Sequence, residues 1–176
     1  MSGKFKIYEG GVFFVTLTVV GWIDIFTRNL YAEEIVRNLN YCIDHKGLHV
    51  YSSCIMPSHL HMVAAAERGS LSDILRDFKS YTAKQILKKV EEHLQESRRS
   101  WLLHLFKYFA RYNSHNAHYQ FWQQHNHPID IASSHRMRQA VSYIHQNPVK
   151  AGLVDEDCHY IYSSAYPLTE VKLSLI

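Results

Sequence analysis

His59-Leu60-His61, inside the run from Cys54 to Val63, carries the clearest chemical potential of the chain. An extended strand repeats every two residues, so His59 and His61 point to one face and Leu60 to the other. Two imidazoles side by side can hold one divalent cation, while Leu60 anchors the strand in a core. The same spacing also fits an exposed strand face or a structural histidine pair. The chemistry therefore depends on what the rest of the chain brings to that face.

A second set lies near the C-terminus, in Val141-Ser142-Tyr143-Ile144-His145-Gln146-Asn147-Pro148. Tyr143 and Asn147 are four residues apart and share one helical face. A phenol beside a carboxamide offers a nucleophile and a neutral metal ligand. The other reading makes Tyr143 a packed aromatic and Asn147 a C-terminal cap before a proline.

The elements that must position these groups follow from periodicity. Gly11 to Val20 is mostly β-branched and aromatic and predicts a strand. Ile35, Leu39 and Cys42 recur at helical spacing in Asn29 to Lys46, with Gly47 as a stop. Leu48 to Met56 and His59 to Ala66 predict a hairpin around Pro57-Ser58. Ser70 and Asp73 form a capping signal for a long helix with Leu71, Ile74, Leu75 and Phe78 on its buried face. A helical piece is expected over 100–109, a polar surface loop over 111–120, and a short strand over 119–123. A last helix starts at Ser133 or Ser134 and ends before Pro148; the tail from Asp157 predicts loop with a short strand. Residues 1–176 read as one α+β domain: a ferredoxin-like, split βαβ antiparallel sheet with helices on one face, plus an additional C-terminal helix carrying the tyrosine. The sheet face bearing His59 and His61 is expected to stay open for a substrate.

Composition sets the class. The chain has 176 residues, 47% of them hydrophobic, enough for one domain with a core. Cys42, Cys54 and Cys158 are an odd number without C-x-x-C spacing, which argues against a disulfide framework and suits a reducing cytosol. The apolar stretch from Val12 to Phe26 is broken by Thr16, Thr18, Gly21 and Asp24, too polar for a membrane span. A cytoplasmic protein is expected. A net charge of +3 and a pI near 8.7 permit nucleic acid without requiring it. Thirteen histidines and twelve tyrosines supply rings that can stack on unpaired bases or sit half-buried at the surface.

The pairing of Met56-Pro57-Ser58-His59-Leu60-His61 with Tyr143-Ile144-His145-Gln146-Asn147-Pro148-Val149-Lys150-Ala151-Gly152-Leu153 resembles the REP-associated tyrosine transposases. These are relatives of the single-tyrosine transposases of bacterial insertion sequences, which carry a histidine–hydrophobe–histidine (HUH) signature. Phe121-Trp122-Gln123-Gln124, Tyr162-Ser163-Ser164-Ala165, Phe13 to Thr18 and Phe78 to Thr82 look like the same family's patterns, in the same order, from about Tyr8 to Tyr166.

The resemblance implies that His59 and His61 are metal ligands and Tyr143 the nucleophile. Asn147 takes the place of the third, helix-borne ligand, often glutamine in the single-tyrosine relatives; Gln146 is a neighbour that could substitute. His145, on another helical face, packs or binds DNA. Ser58 stands where many members carry asparagine or aspartate. The implied reaction is transesterification on single-stranded DNA through a 5′-phosphotyrosine. A free phenol titrates near pH 10 (about 10 in peptides), so a cation, Mg²⁺ or Mn²⁺, is expected to polarise the phosphate. An amide beside two histidines favours Mn²⁺ by ligand softness, while cellular abundance favours Mg²⁺. The expected partner is single-stranded or hairpin DNA, with a possible homodimer. Arg76, Lys79, Lys84, Arg136 and Arg138 could track phosphates or form solvated helix faces. Trp122 and Tyr119 could stack on a base or fill the core. A DNA-binding protein without cleavage is the alternative, and a water-using hydrolase a third class.

Overall fold

Alternating burial along Phe13–Thr18 makes this segment a half-buried strand, β1. The computed structural model describes residues 7–112 and 118–175. After β1, 3-10 turns at Val20–Trp22 and Ile25–Thr27 lead into helix α1, Asn29–Lys46. Gly47 ends α1 in the left-handed conformation (φ 65°), with its N–H donating to the Cys42 carbonyl. Strands β2, Leu48–Met56, and β3, His59–Ala66, form the hairpin expected around Pro57-Ser58. Helices α2, Leu71–Glu92, and α3, Arg99–Ala110, follow; then a short strand β4, Ile129–Asp130, and helix α4, Ser134–Lys150.

The sheet order is β2-β3-β1-β4, with all pairings antiparallel. This is the split βαβ order, an α+β layer as the alternating pattern predicted. The register sets Thr16 opposite His61 and Thr18 opposite His59. Val15, Leu17, Ile55, Leu60 and Met62 point to one face and pack with Ile35, Leu39, Leu75, Phe78 and Ile86 of α1 and α2 as the main core. Cys54, Met56 and Val63 point to the other face, where Ile144 joins them, flanked by Phe14, Met137, Ala140 and Tyr160.

That second face differs from the expected open surface, because α4 packs across β2 and β3. Met137, Ala140, Ile144 and Pro148 recur at helical spacing and form the stripe that α4 turns inward. The helix also runs through Pro148 to Lys150 instead of stopping before it. The proline sits in the last turn, buried in the seam, where its missing N–H costs a single intrahelical bond. Asn147 Nδ2 donates to the Tyr143 carbonyl at 2.7 Å, adding a bond at the same turn.

Three smaller expectations change. Ser70 caps α2 through the Ser72 N–H at 3.2 Å, while Asp73 pairs with Arg76 at 2.6 Å instead of completing a capping box. Residues 119–123 make one bridge, Val19 with Trp122, and the tail one, Cys54 with Ser163, rather than strands. The polar loop expected over 111–120 falls for residues 113–117 outside the described residues. Among the described residues no helix is long and apolar enough to cross a membrane.

Candidate active site

β3 presents His59 and His61 on the face that α4 covers. Their Nε2 atoms lie 3.0 Å apart, with ring centroids at 4.5 Å and planes at 79°. Each outer nitrogen meets a hydroxyl: His61 Nδ1 lies 2.9 Å from Thr16 Oγ1, and His59 Nδ1 lies 3.1 Å from Ser58 Oγ. A hydroxyl that accepts the Nδ1 proton fixes the tautomer in which Nε2 offers a lone pair. Two such lone pairs aimed at each other repel unless a proton or a cation lies between them. At 3.0 Å the two nitrogens are at hydrogen-bond distance, close enough to share one proton or to turn toward one cation.

Burial keeps both imidazoles neutral. It lowers His59 below the ordinary histidine range, and it lowers His61, with a smaller contribution from the neighbouring His59, to about 3. A neutral ring is the form that ligates a metal.

α4 brings the tyrosine to the same place. The Ser133 hydroxyl caps its start by accepting from the Arg136 N–H at 3.3 Å, and Ile144 anchors its middle with no exposed surface. Tyr143, one residue before Ile144, is 45% exposed and its ring centroid lies 5.5 Å from that of His61. Phe14 touches both, stacked on His61 at 5.5 Å and edge-on to Tyr143 at 5.7 Å. Lys150, two turns on, holds its Nζ 5.8 Å from the Tyr143 ring centre. Tyr143 separates two clefts. One, of about 570 Å³, is lined by Phe14, Ile129, Ile131, Arg136, Gln139 and Ala140; the other, of about 420 Å³, is bordered by His135, Arg138, Gln146 and Lys150.

Other expected residues are placed differently. Asn147 is one turn beyond Tyr143, with its amide nitrogen on the Tyr143 carbonyl, and the Gln146 amide donates to Asp157 at 3.0 Å. Among the described residues neither side chain hydrogen-bonds to either histidine. His145 faces the sheet, its Nε2 2.9 Å from Ser164 Oγ and 3.3 Å from Ser52 Oγ. Arg136 and Arg138 are exposed beside the tyrosine clefts. Arg76, Lys79 and Trp122 share another cleft, between α2 and residues 119–126. Arg76 is exposed there but paired with Asp73 and Asp77, whereas Lys84 is exposed on α2.

Two of these need correction. The Lys79 ammonium donates to the Gln123 carbonyl (2.6 Å), the Gln124 carbonyl (3.3 Å) and Asn126 Oδ1 (2.9 Å), and burial lowers its pKa to about 8. It ties down a loop whose Gln123 N–H and Asn126 carbonyl bond to Thr18 and Thr16 of β1. Trp122 is 5% exposed, and its Nε1 donates to Thr82 Oγ1 at 3.0 Å. Its ring faces are inside the core.

Thr16 and Phe14, within the family-like run Phe13 to Thr18, and Trp22 join the site although the sequence assigned none of them a role there. Thr16 becomes visible only once the β1–β3 register is known. Trp22 meets His59 edge to face at 5.3 Å, in a turn where Gly21 (φ 61°) and Trp22 itself (φ 55°) are both left-handed. Such a conformation at a tryptophan costs on the order of 1–3 kcal/mol and persists only where the surroundings impose it. Separately, Glu156, Cys158 and His159 bring one carboxylate, one thiol and one imidazole within 4.8 Å on the turn after α4, sharing no residue with the histidine pair.

Comparison with known proteins adds a family. The sequence profile described as "Transposase IS200 like" matches residues 22–112, a span that includes both histidines and ends before α4. The solved structure of a REP-associated tyrosine transposase bound to a REP hairpin superposes with a TM-score of 0.67 at 16% identity, over 93% of this chain and 82% of that one. This likeness is one of fold. A proposed transposase of Deinococcus radiodurans R1 aligns at 16% identity over 82% of this chain and 95% of that one, with a TM-score of 0.47, too low to carry an argument. No curated protein matches the chain.

Proposed function

We propose that this chain, which belongs to the IS200-like transposase family, cuts and rejoins single-stranded DNA through a phosphotyrosine at Tyr143. The observation that carries the reading is the meeting, within one chain, of Tyr143 with a histidine whose Nε2 is paired to a second imidazole.

In this reaction the Tyr143 Oη, losing its proton, attacks a backbone phosphorus. The P–O3′ bond breaks, the 3′ oxygen of the upstream fragment leaves and takes up a proton, and the phosphate stays esterified to Tyr143 and to the 5′ oxygen of the downstream nucleotide. One diester replaces another, so a second DNA 3′-hydroxyl can reverse the step and join strands. A divalent cation, Mg²⁺ or Mn²⁺ by ligand type and cellular abundance, would be held by His59 and His61 and would polarise the non-bridging phosphate oxygens. Asn147 is the proposed third ligand through Oδ1, since its Nδ2 is committed to the helix. Thr16 and Ser58 orient the imidazoles, and burial keeps them neutral. Phe14 holds His61 and Tyr143 in register, and Lys150 adds positive charge beside the ring. Arg136 and Arg138 flank the tyrosine where they can meet phosphates; Arg76 and Lys84 on α2 are proposed as outlying contacts.

The solved REP-associated transposase was bound to a REP hairpin, and single-stranded or hairpin DNA is the substrate class we infer for this chain. A homodimer would not be needed to bring histidine and tyrosine together.

The test is a nicking assay on a labelled single strand carrying a hairpin, with EDTA, Mg²⁺ or Mn²⁺. Metal-dependent cleavage that His59→Ala or His61→Ala abolishes supports the reading. DNA binding without cleavage under any metal, across a pooled sequence library, would leave the non-cleaving DNA-binding protein in its place.

A further inference from the structure

The turn between β1 and α1 is built to hold one side chain out over the histidine pair. Val20 and Ile23 are each 4% exposed and pin its two ends. The Val19 N–H donates to the Ser58 carbonyl and the Phe26 N–H to the Pro57 carbonyl, both at 2.9 Å, so the turn is tied to the β2–β3 hairpin loop. Gly21 is required twice: its φ is 61°, and a Cβ there would lie 2.6 Å from the Phe109 ring. Between these anchors Trp22 is 60% exposed. The three tryptophans have different lots. Trp122 is buried with its indole N–H bonded. Trp101 lies half-exposed on α3. Trp22 rests against a candidate metal ligand, with no partner for its indole N–H among the described residues.

Packing does not explain this residue. Asparagine or glycine suits a left-handed backbone better, and a water-exposed indole contributes little burial. Local rules broken at one position beside a site point to function. A large aromatic face next to the position of a bound phosphate is what an unpaired base stacks on.

We propose that Trp22 is a stacking platform for a nucleobase of the strand that passes the His59–His61 pair. The inference rests on the single-stranded DNA reading above. Trp22 thereby positions the strand so that the phosphate next to the stacked base meets the imidazoles; it takes no part in bond making. Stacking is indifferent to base sequence, so Trp22 adds affinity and register without adding sequence specificity.

The test uses the full chain carrying Tyr143→Phe, so that cleavage does not consume the probe. A fluorescein-labelled hairpin with a single-stranded flank is titrated over a salt series with the parent, Trp22→Phe, Trp22→Ala and Trp22→Asn. Trp22→Ala and Trp22→Asn are expected to bind about 5- to 100-fold more weakly, with Trp22→Phe between them and the parent. The slope of log K against log salt should not change, because no phosphate contact is lost. Trp22→Asn should melt no lower than the parent, since it relieves the left-handed strain; a merely structural tryptophan would lower the melting temperature. Parent binding with Trp22→Asn within twofold overturns the inference alone. A parent that binds no single-stranded DNA overturns the underlying reading and the inference with it.

Discussion

The Tyr143 and His61 rings meet with centroids 5.5 Å apart and planes at 73°, although 82 positions separate them in the chain (143 − 61). Phe14, on the strand between β3 and β4, contacts both rings and fixes their spacing. Phe14→Ala should therefore loosen the proposed nucleophile, Tyr143, and the proposed ligand, His61, together. Displacement of reacting groups by about 1 Å costs on the order of 100-fold in rate. We expect a loss of that size in single-turnover cleavage with DNA affinity nearly unchanged, the pattern of an interaction that matters in the transition state and not in ground-state binding. Equal rates for the two proteins would show that Phe14 has no positioning role.

Thr16 acts one layer further out. Its Oγ1 lies 2.9 Å from His61 Nδ1, and by accepting the Nδ1 proton it would hold the ring in the tautomer that a metal needs, with Nε2 free. Thr16→Val removes that acceptor at nearly constant volume. Loss of such a supporting hydrogen bond typically weakens metal binding or activity by about 10- to 100-fold. The Mn²⁺ concentration giving half-maximal cleavage should rise accordingly, and Thr16→Ser should restore it.

α4 is held to the sheet through Ile144, which has no exposed surface. Ile144→Ala should cost about 2–4 kcal/mol, read by urea unfolding. Activity should fall further than the unfolded fraction accounts for, because the neighbouring Tyr143 depends on the seating of this helix. Activity that tracks the folded fraction alone would separate the helix's stability from its positioning of the tyrosine.

The α1–α2 packing carries a pH dependence of its own. Burial of Glu34 opposes its ionisation, but Lys89 at 2.6 Å, Asn38 at 2.7 Å and Arg37 at 3.0 Å prevail and hold the carboxyl below the ordinary range. A carboxyl depressed in the folded state contributes stability that is present above its unfolded pKa, about 4.3. That contribution is lost as pH falls through the folded value. Glu34→Gln should be less stable than wild type at pH 7 and lose less on going to pH 3. Parallel acid limbs for the two proteins in denaturant titrations would remove Glu34 from this role.

Legibility in the sequence followed the strength of the periodic signal. α1, β2 and β3 matched their predicted bounds because each combines a clear period with a strong terminator, Gly47 or the Pro57-Ser58 turn. The end of α4 was missed because Pro148 reads locally as a stop, whereas tertiary burial makes it part of the seam. β4, two residues long, has no periodic signal. Within the site, the paired histidines followed from strand alternation alone. Thr16 and Phe14 belong to the neighbouring strand and needed the register, and Trp22 needed the backbone of its turn. Lys79 and Trp122 showed the converse: a lysine in a basic helix and a tryptophan near a polar run look available, until three carbonyl-type acceptors and a buried threonine hydroxyl claim them.

The most direct measurement is to incubate the protein with single-stranded hairpin DNA and Mn²⁺, denature it, digest both polymers and map the nucleotide-bearing peptide by mass spectrometry. The predicted result is a 5′-linked nucleotide on Tyr143, absent from Tyr143→Phe and from samples with EDTA. A covalent nucleotide on another tyrosine, Tyr81 for example, or cleavage by wild type and Tyr143→Phe alike with no adduct, would contradict a phosphotyrosine mechanism at Tyr143.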